Sequence, residues 1–145
     1  MALATEARNF LLPVWEEWQS ARGLSPVVLS TRTCVRSSLF LSRVLQAHGF
    51  DAAWVNNVPR LSEEGPELGP YGYFADARWE AHAWVTCENW IVDITADQFG
   101  GDPVTVTERG NLLYGFSGVD TAPEATRQRR ETEIAVLWQR WLERS

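Results

Sequence analysis

The sequence predicts a mixed α+β fold built as one domain over residues 1–145. Three segments carry apolar residues at spacings of three and four, which is the helical period, and a β-hairpin pattern lies between the second and the third. The chain has 145 residues, of which 45 % are apolar, so it can form one hydrophobic core but seldom two. These observations favour helices packed on an antiparallel sheet.

The three helices are predicted over residues 5–22, 34–48 and 122–144. Glycines end the first two, and Gly49 occupies the usual C-terminal position of the second. Pro13 is expected to kink the first helix or to mark its true start. The third helix has a predicted apolar face of Ile134, Leu137, Trp138, Trp141 and Leu142.

The second helix is predicted to lie in the middle of the fold. At 100° per residue, one stripe of this helix carries Cys34, Ser38, Leu41 and Leu45, and the opposite side carries Arg36, Arg43 and Gln46. Cys34 is therefore expected in the first turn, pointing toward the core rather than toward bulk water.

Strands are predicted on both sides of a long loop. Residues 51–56 form the first, residues 79–86 and 90–95 form a hairpin across Cys87-Glu88-Asn89, and residues 104–107 and 111–116 add two more. Residues 57–77 are rich in Gly and Pro and are predicted as a functional flap or a surface loop. This segment contains three aromatic residues that either line a cleft or fill the core, namely Tyr71, Tyr73 and Phe74.

The same loop carries four acidic residues, which are Glu63, Glu64, Glu67 and Asp76. If the loop shapes a cleft, these acids favour a substrate with basic character. If the loop is only a solvated surface segment, they contribute to solubility alone.

Composition excludes several classes of function. The formal net charge of −6 disfavours nucleic acid and anionic membranes as partners. All 13 basic residues are Arg, so Schiff-base chemistry on Lys is excluded. No apolar run reaches the roughly 18 residues of a membrane span, and no signal pattern is present, so we expect a cytoplasmic protein. Two Cys and two His provide neither a disulfide framework nor a usual metal site, and no cofactor is expected.

Three residues form a candidate catalytic constellation: Cys34 at a helix N-terminus, His82 in one strand and Asp93 in the next. The positive end of a helix dipole and a nearby imidazolium both favour the nucleophilic thiolate. A carboxylate bonded to the His ring fixes its orientation. Because side chains alternate along strands, any even-length hairpin loop puts His82 and Asp93 on one face of the sheet.

Two stretches resemble the transglutaminase-like, papain-like superfamily of cysteine enzymes. TCVRSSLFL at residues 33–41 resembles its cysteine helix, and HAWV at 82–85 followed by WIVDIT at 90–95 resembles its histidine and aspartate strands. The resemblance covers about residues 31 to 99. Within the superfamily, the sequence is most similar to small bacterial members that include lasso-peptide leader peptidases. It implies a Cys34-His82-Asp93 triad on a fold whose central cysteine helix packs against an antiparallel sheet.

We therefore expect a cysteine hydrolase that cleaves a peptide or amide bond of a peptide or protein substrate through an acyl-enzyme. Acyl transfer or deamidation on protein glutamine is the alternative outcome, and a non-catalytic binding module is the alternative of a different class. Asp97 is the competing orienting acid, but it lies past the end of the strand. A metal site on the three triad residues lacks a second His. The backbone N–H of Cys34 is the expected oxyanion donor, whereas His48 and Cys87 are expected to be bystanders.

Overall fold

The computed structural model of the chain describes residues 1–144. Three α-helices and two antiparallel sheets confirm the α+β class. The elements in chain order are α1 (Ala2–Ala21), α2 (Cys34–Ala47), β1 (Ala52–Asn57), β2 (Gly72–Ala75), β3 (Arg78–Glu80), β4 (His82–Cys87), β5 (Trp90–Asp93), a 3₁₀ helix (Ala96–Phe99), β6 (Thr105–Glu108), β7 (Tyr114–Gly115) and α3 (Glu124–Glu143).

The larger sheet has four strands in the order β1-β4-β5-β6. All six residues of β4 are buried, because this strand has a neighbour on each edge and is covered on both faces. Strands β4 and β5 form the predicted hairpin, and Cys87 faces Trp90 across a two-residue turn. The turn therefore has even length, and this register puts His82 and Asp93 on the same face.

The predicted hairpin began too early. Trp79 belongs to β3 in the smaller sheet, where Glu80 faces Tyr73, whereas His82 in β4 faces Asn57 of β1. The chain changes sheets between Glu80 and His82. The alternation of apolar and polar residues along a sequence does not indicate where the chain passes from one sheet to another.

The smaller sheet has the order β3-β2-β7 and lies partly inside the predicted loop of residues 57–77. Gly72 begins β2 with φ of +100°, and a β-carbon there would collide with the backbone oxygen of Glu80. This glycine therefore permits close approach of β3, and it lies in a strand rather than in the predicted loop. The predicted strand over residues 111–116 is reduced to Tyr114–Gly115.

Helix α2 packs on strands β1 and β4 and contacts both α1 and α3. Its predicted inner stripe is buried at Ser38, Leu41 and Leu45, which confirms the central position of this helix. Pro13 lies inside α1, so the alternative that it marks the helix start is wrong. On α3, Leu142 is 57 % exposed, since it lies a further 100° around the helix from the buried Trp141.

None of the helices in residues 1–144 combines the length and the apolar character that crossing a membrane requires.

Candidate active site

Cys34 is the first residue of α2, at the end where the helix meets the start of β4. Thr33 precedes it as N-cap but its side chain does not cap the helix; its hydroxyl donates instead to the Ser30 carbonyl at 2.7 Å. The first backbone N–H groups of a helix have no acceptor within it. The first turn of α2 therefore presents, close to the thiol, backbone N–H groups that lack a side-chain acceptor.

Cys34 is partly exposed, so the expectation that it points away from solvent is only half correct. It lines two cavities, of about 320 and about 500 Å³. The residues that follow it on the same stripe of α2, Ser38, Leu41 and Leu45, are buried. Cys34 thus interacts with the buried His82 and also borders both cavities.

His82 begins β4 and is fully buried. Its Nε2 lies 2.7 Å from Oδ2 of Asp93. Within the described residues, Nδ1 has no partner of ordinary hydrogen-bond geometry. Two groups shift the pKa of the ring by interacting with it, and these are the Asp93 carboxylate and the Cys34 thiol. Because the two ring nitrogens point in different directions, Nδ1 is the nitrogen available to the thiol.

Aromatic side chains fix the plane of the His82 ring. Phe99 and Tyr73 contact it edge to face, with centroid distances of 5.0 and 5.8 Å, and Trp84 lies at 5.8 Å. Phe99 and Tyr73 also stack on each other at 5.4 Å. These contacts leave the ring little freedom to rotate.

Asp93 ends β5, and both of its carboxylate oxygens accept hydrogen bonds. Oδ1 accepts from the backbone N–H of Thr95 at 3.0 Å, and Oδ2 accepts from the hydroxyl of Tyr114 at 2.9 Å as well as from His82. The residue is 1 % exposed. A buried carboxylate with this many donors is held in its ionised form.

The pKa shifts follow from these contacts. Burial alone raises the pKa of the Cys34 thiol, but its interaction with the His82 ring and the backbone N–H of Ala83 lower it below its usual value of 9.0. Burial lowers the pKa of His82, but the charge and hydrogen bond of Asp93, followed by the interaction with Cys34, raise it above 6.5. Burial raises the pKa of Asp93, yet His82, Thr95 and Tyr114 together lower it. The arrangement favours a thiolate–imidazolium pair.

Asp97, the competing acid, lies in the 3₁₀ helix and is bound elsewhere. Its carboxylate accepts hydrogen bonds from Arg8, with the shorter contact at 2.8 Å, and from Ser30. These contacts anchor the segment before α2 to α1. Asp93, and not Asp97, therefore orients His82.

Three further residues belong to the site although their sequence positions do not indicate it: Tyr114, Thr95 and Phe99. Tyr114 lies in a predicted strand, 21 residues after Asp93. No local spacing signals a contact over that distance. Tyr73, for which the sequence leaves cleft and core open, is buried and contacts the His82 ring.

We call the segment between β1 and β2, residues 58–71, the flap, and its residues Leu61, Ser62 and Glu63 contribute to the lining of the larger cavity. Two of the acids expected to attract a basic substrate are paired. Glu67 lies 2.9 Å from Arg60, and Glu63 lies 3.2 Å from Arg78. These pairs neutralise much of the charge that the sequence assigned to the flap.

The remaining candidate residues lie outside the site. His48 follows the end of α2 and bonds to the Val44 carbonyl through Nδ1 at 3.0 Å. Cys87 is not an exposed turn residue but is 8 % exposed within the core. Burial, with the charges of Glu88 and Asp51, raises the pKa of the Cys87 thiol. Within residues 1–144 no group of three or more His, Cys, Asp or Glu side chains is placed to hold a metal ion.

In comparisons with known proteins, the chain matches no protein-family model, no curated protein and no solved structure.

Proposed function

We propose that the protein is a cysteine hydrolase that cleaves a peptide or amide bond through an acyl-enzyme. The observation that supports it is the linked arrangement of three side chains: a partly exposed thiol, a buried imidazole and a fully hydrogen-bonded carboxylate. Cys34 opens on two cavities large enough for peptide side chains.

In the first half-reaction, the Cys34 thiolate attacks the carbonyl carbon and forms a C–S bond, and the carbonyl electron pair moves to oxygen. The His82 imidazolium donates its proton to the leaving nitrogen as the C–N bond breaks. The amine departs and a thioester remains on Cys34. Asp93 stabilises the imidazolium and fixes the ring.

In the second half-reaction, neutral His82 accepts a proton from water, and the oxygen attacks the thioester carbonyl. The C–S bond breaks, and the sulfur leaves as the thiolate beside the re-formed imidazolium. The product is a carboxylic acid. An amine in place of water would give transamidation through the same steps, and attack on a glutamine side chain followed by water would give deamidation.

The tetrahedral intermediate in each half-reaction carries a negative oxygen that needs hydrogen-bond donors. The backbone N–H of Cys34 is suited to this role, because it is at the first position of α2 and the helix lacks a side-chain cap. The helix dipole favours negative charge at the same point.

We also propose that the fold is of the transglutaminase-like, papain-like type. This proposal is supported by a cysteine at the start of a helix that packs on an antiparallel sheet, with the histidine and the aspartate in adjacent strands of that sheet.

The test is incubation with a proteome-derived peptide mixture, in which new termini are identified by mass spectrometry. Hydrolysis in ¹⁸O-water introduces the label into the new carboxylates, whereas an added biotin-amine captures transamidation. Cys34→Ala should abolish every product, and Cys87→Ala should leave them unchanged. A cysteine-directed activity probe run beside both variants should label Cys34 alone. Equal labelling of the wild type and Cys34→Ala, with no product in the peptide assay, would overturn the proposal and favour a binding module.

A further inference from the structure

The charge around Cys34 is opposite in sign to the charge of the whole protein. The chain carries a net charge of −6, with 19 acidic residues and 13 arginines. The two cavities that meet at Cys34 are lined by six of those arginines and by only three acids. The arginines are Arg32, Arg36, Arg60, Arg78, Arg129 and Arg130, and the acids are Glu63, Glu80 and Glu133.

The smaller cavity, which we call the α2–α3 cavity, is the more basic of the two. Cys34 and Val35 of α2 form one wall, and the first turns of α3 form the other. Four arginines line it against one acid, Glu133. Cys34 and four arginines therefore line one space of about 320 Å³.

Two of these arginines are held by acidic partners. Arg36 lies 2.9 Å from Glu133 and stacks over the Trp18 ring at 3.8 Å, and Arg130 lies 3.1 Å from Asp120. Both are about one-fifth exposed, so their guanidinium groups are fixed parts of the wall.

The other two, Arg32 and Arg129, have no acidic side chain within 4.0 Å in residues 1–144. Arg129 donates only to the Thr126 hydroxyl, at 3.2 Å. Arg32 adopts φ of +61°, and Gln98 accepts a hydrogen bond from its backbone N–H at 3.1 Å. Their charges are available to a ligand in the cavity that Cys34 also lines.

We propose that the α2–α3 cavity binds an anionic group of the substrate, which in a peptide is an Asp or Glu side chain close to the carbonyl that Cys34 attacks. The inference rests on the proposed function and specifies its substrate class. A guanidinium group binds a carboxylate through two parallel hydrogen bonds, which fixes position as well as charge. A locally positive cleft also attracts anionic ligands that the acidic remainder of the surface repels.

The flap does not offset this preference. Its acids Glu63 and Glu67 are paired with Arg78 and Arg60, and Arg78 also lies 3.8 Å from Glu80. The hypothesis of a basic substrate was based on the acidic residues of this segment. In the fold, the charges of two of them, Glu63 and Glu67, are neutralised by arginines.

The test compares two alkylating reagents of similar size, anionic iodoacetate and neutral iodoacetamide, on Cys34 in a Cys87→Ala background at low ionic strength. The ratio of the two rate constants measures the local potential at the thiol, because the chemistry is the same. Arg129→Gln and Arg32→Gln should each lower this ratio about threefold, because each removes a unit positive charge that attracts the anionic reagent and not the neutral one.

Arg127→Gln is the matched control, since Arg127 is an exposed residue of α3 that pairs with Glu124 and does not line the α2–α3 cavity. It changes the net charge equally and should leave the ratio unchanged. Ratios that are the same for Arg129→Gln, Arg32→Gln and Arg127→Gln, with a reactive Cys34, would overturn this inference alone. A Cys34 that neither reagent modifies would overturn the proposed function and this inference with it.

The mapped cleavage sites give a second measurement. Asp and Glu should be enriched within three residues of the cleaved bond, and this enrichment should weaken in Arg129→Gln but not in Arg127→Gln. Enrichment of Lys or Arg instead would contradict the proposal.

Discussion

The hydroxyl of Tyr114 donates a hydrogen bond of 2.9 Å to Oδ2 of Asp93, the oxygen that also faces His82. Both residues are buried, and Tyr114 comes from β7 in the smaller sheet while Asp93 ends a strand of the larger one. The contact therefore joins the two sheets at the carboxylate. It is one of the interactions that lower the pKa of Asp93 against the effect of burial.

We predict that Tyr114→Phe reduces stability by about 2 kcal/mol at pH 7, the typical value for a buried hydrogen bond to a charged group. Because Asp93 has a lowered pKa, it contributes stability above its unfolded value of 3.8, and this contribution disappears as pH falls through the folded pKa. Losing the hydroxyl raises that folded pKa. Acid unfolding followed by circular dichroism should therefore begin at a higher pH in the variant.

The control is Tyr71→Phe, which removes a hydroxyl from a partly buried flap residue outside this network. Its acid-unfolding midpoint should match that of the wild type. If both tyrosine variants had the wild-type midpoint, the Tyr114 contact would contribute nothing to the ionisation of Asp93.

Asp93→Asn should lower turnover by about 10⁴-fold, by analogy with the same change in serine proteases, because the amide stabilises the wrong tautomer of the ring. It also removes the charge that raises the pKa of His82. The raised pKa of His82 stabilises the fold at pH below 6.5, and that contribution is lost as pH rises through about 10. The variant should thus lose about 3 kcal/mol at pH 7 and much less at pH 10, as measured by urea unfolding.

Asp97→Asn is the comparison for this experiment. Asp97 pairs with Arg8 at 2.8 Å, away from the imidazole. Its variant should lose stability but retain the alkylation rate of Cys34. Full turnover in Asp93→Asn together with loss of turnover in Asp97→Asn would reverse the assignment of the orienting acid.

The two thiols should differ in the pH dependence of their alkylation by iodoacetamide. The rate for Cys34 should rise with a midpoint below pH 9.0, because the His82 ring and the Ala83 N–H stabilise its thiolate. The rate for Cys87 should rise with a midpoint above pH 9.0, because burial raises its pKa. At pH 7 we expect Cys34 to react at least about tenfold faster. Tryptic mapping separates the two sites.

His82→Gln tests the cause of the lowered midpoint. With the ring removed, burial and the charge of Asp93 remain and both raise the pKa of the Cys34 thiol. The midpoint should then move above that of the wild type. An unchanged midpoint in this variant would mean that the helix terminus, and not His82, ionises the thiol.

Local sequence patterns predicted the parts of the site that lie on regular elements. The glycine after α2 and the polar residues before it indicate the two ends of the cysteine helix. The alternation of side chains predicts that His82 and Asp93 share one face of the sheet for any turn with an even number of residues. Asp97 was set aside because it lies past the strand, and its pairing with Arg8 supplies the physical reason.

Contacts between distant segments could not be predicted in the same way. The smaller sheet is assembled from strands of two to four residues, too short for a periodic pattern. The basic character of the cleft arises because α3 brings Arg129 and Arg130 to the first turn of α2. A group of arginines near the start of a helix does not by itself indicate whether they face solvent or a cleft.

The last prediction concerns the flap, which we expect to shape the substrate cleft without stabilising the fold. The Pro59 carbonyl accepts a hydrogen bond from the Leu68 N–H at 2.7 Å, so the chain between them can be excised with its ends already together. Residues 61–67 are exposed except Gly65, and their loss removes two surface ion pairs, Arg60 with Glu67 and Arg78 with Glu63. Replacing residues 61–67 by Gly-Gly should therefore change the melting temperature by no more than about 3 °C.

The same replacement should lower kcat/KM for a cleaved peptide at least about tenfold, because Leu61, Ser62 and Glu63 line the cavity that Cys34 opens on. The rate of iodoacetamide alkylation should stay at the wild-type value, since the small reagent needs only the activated thiol. Glu64→Gln, a change at an exposed flap residue that does not line this cavity, is the control and should leave kcat/KM unaltered. Wild-type kinetics in the shortened variant, at both low and high salt, would show that the flap is a surface loop without a role in substrate binding.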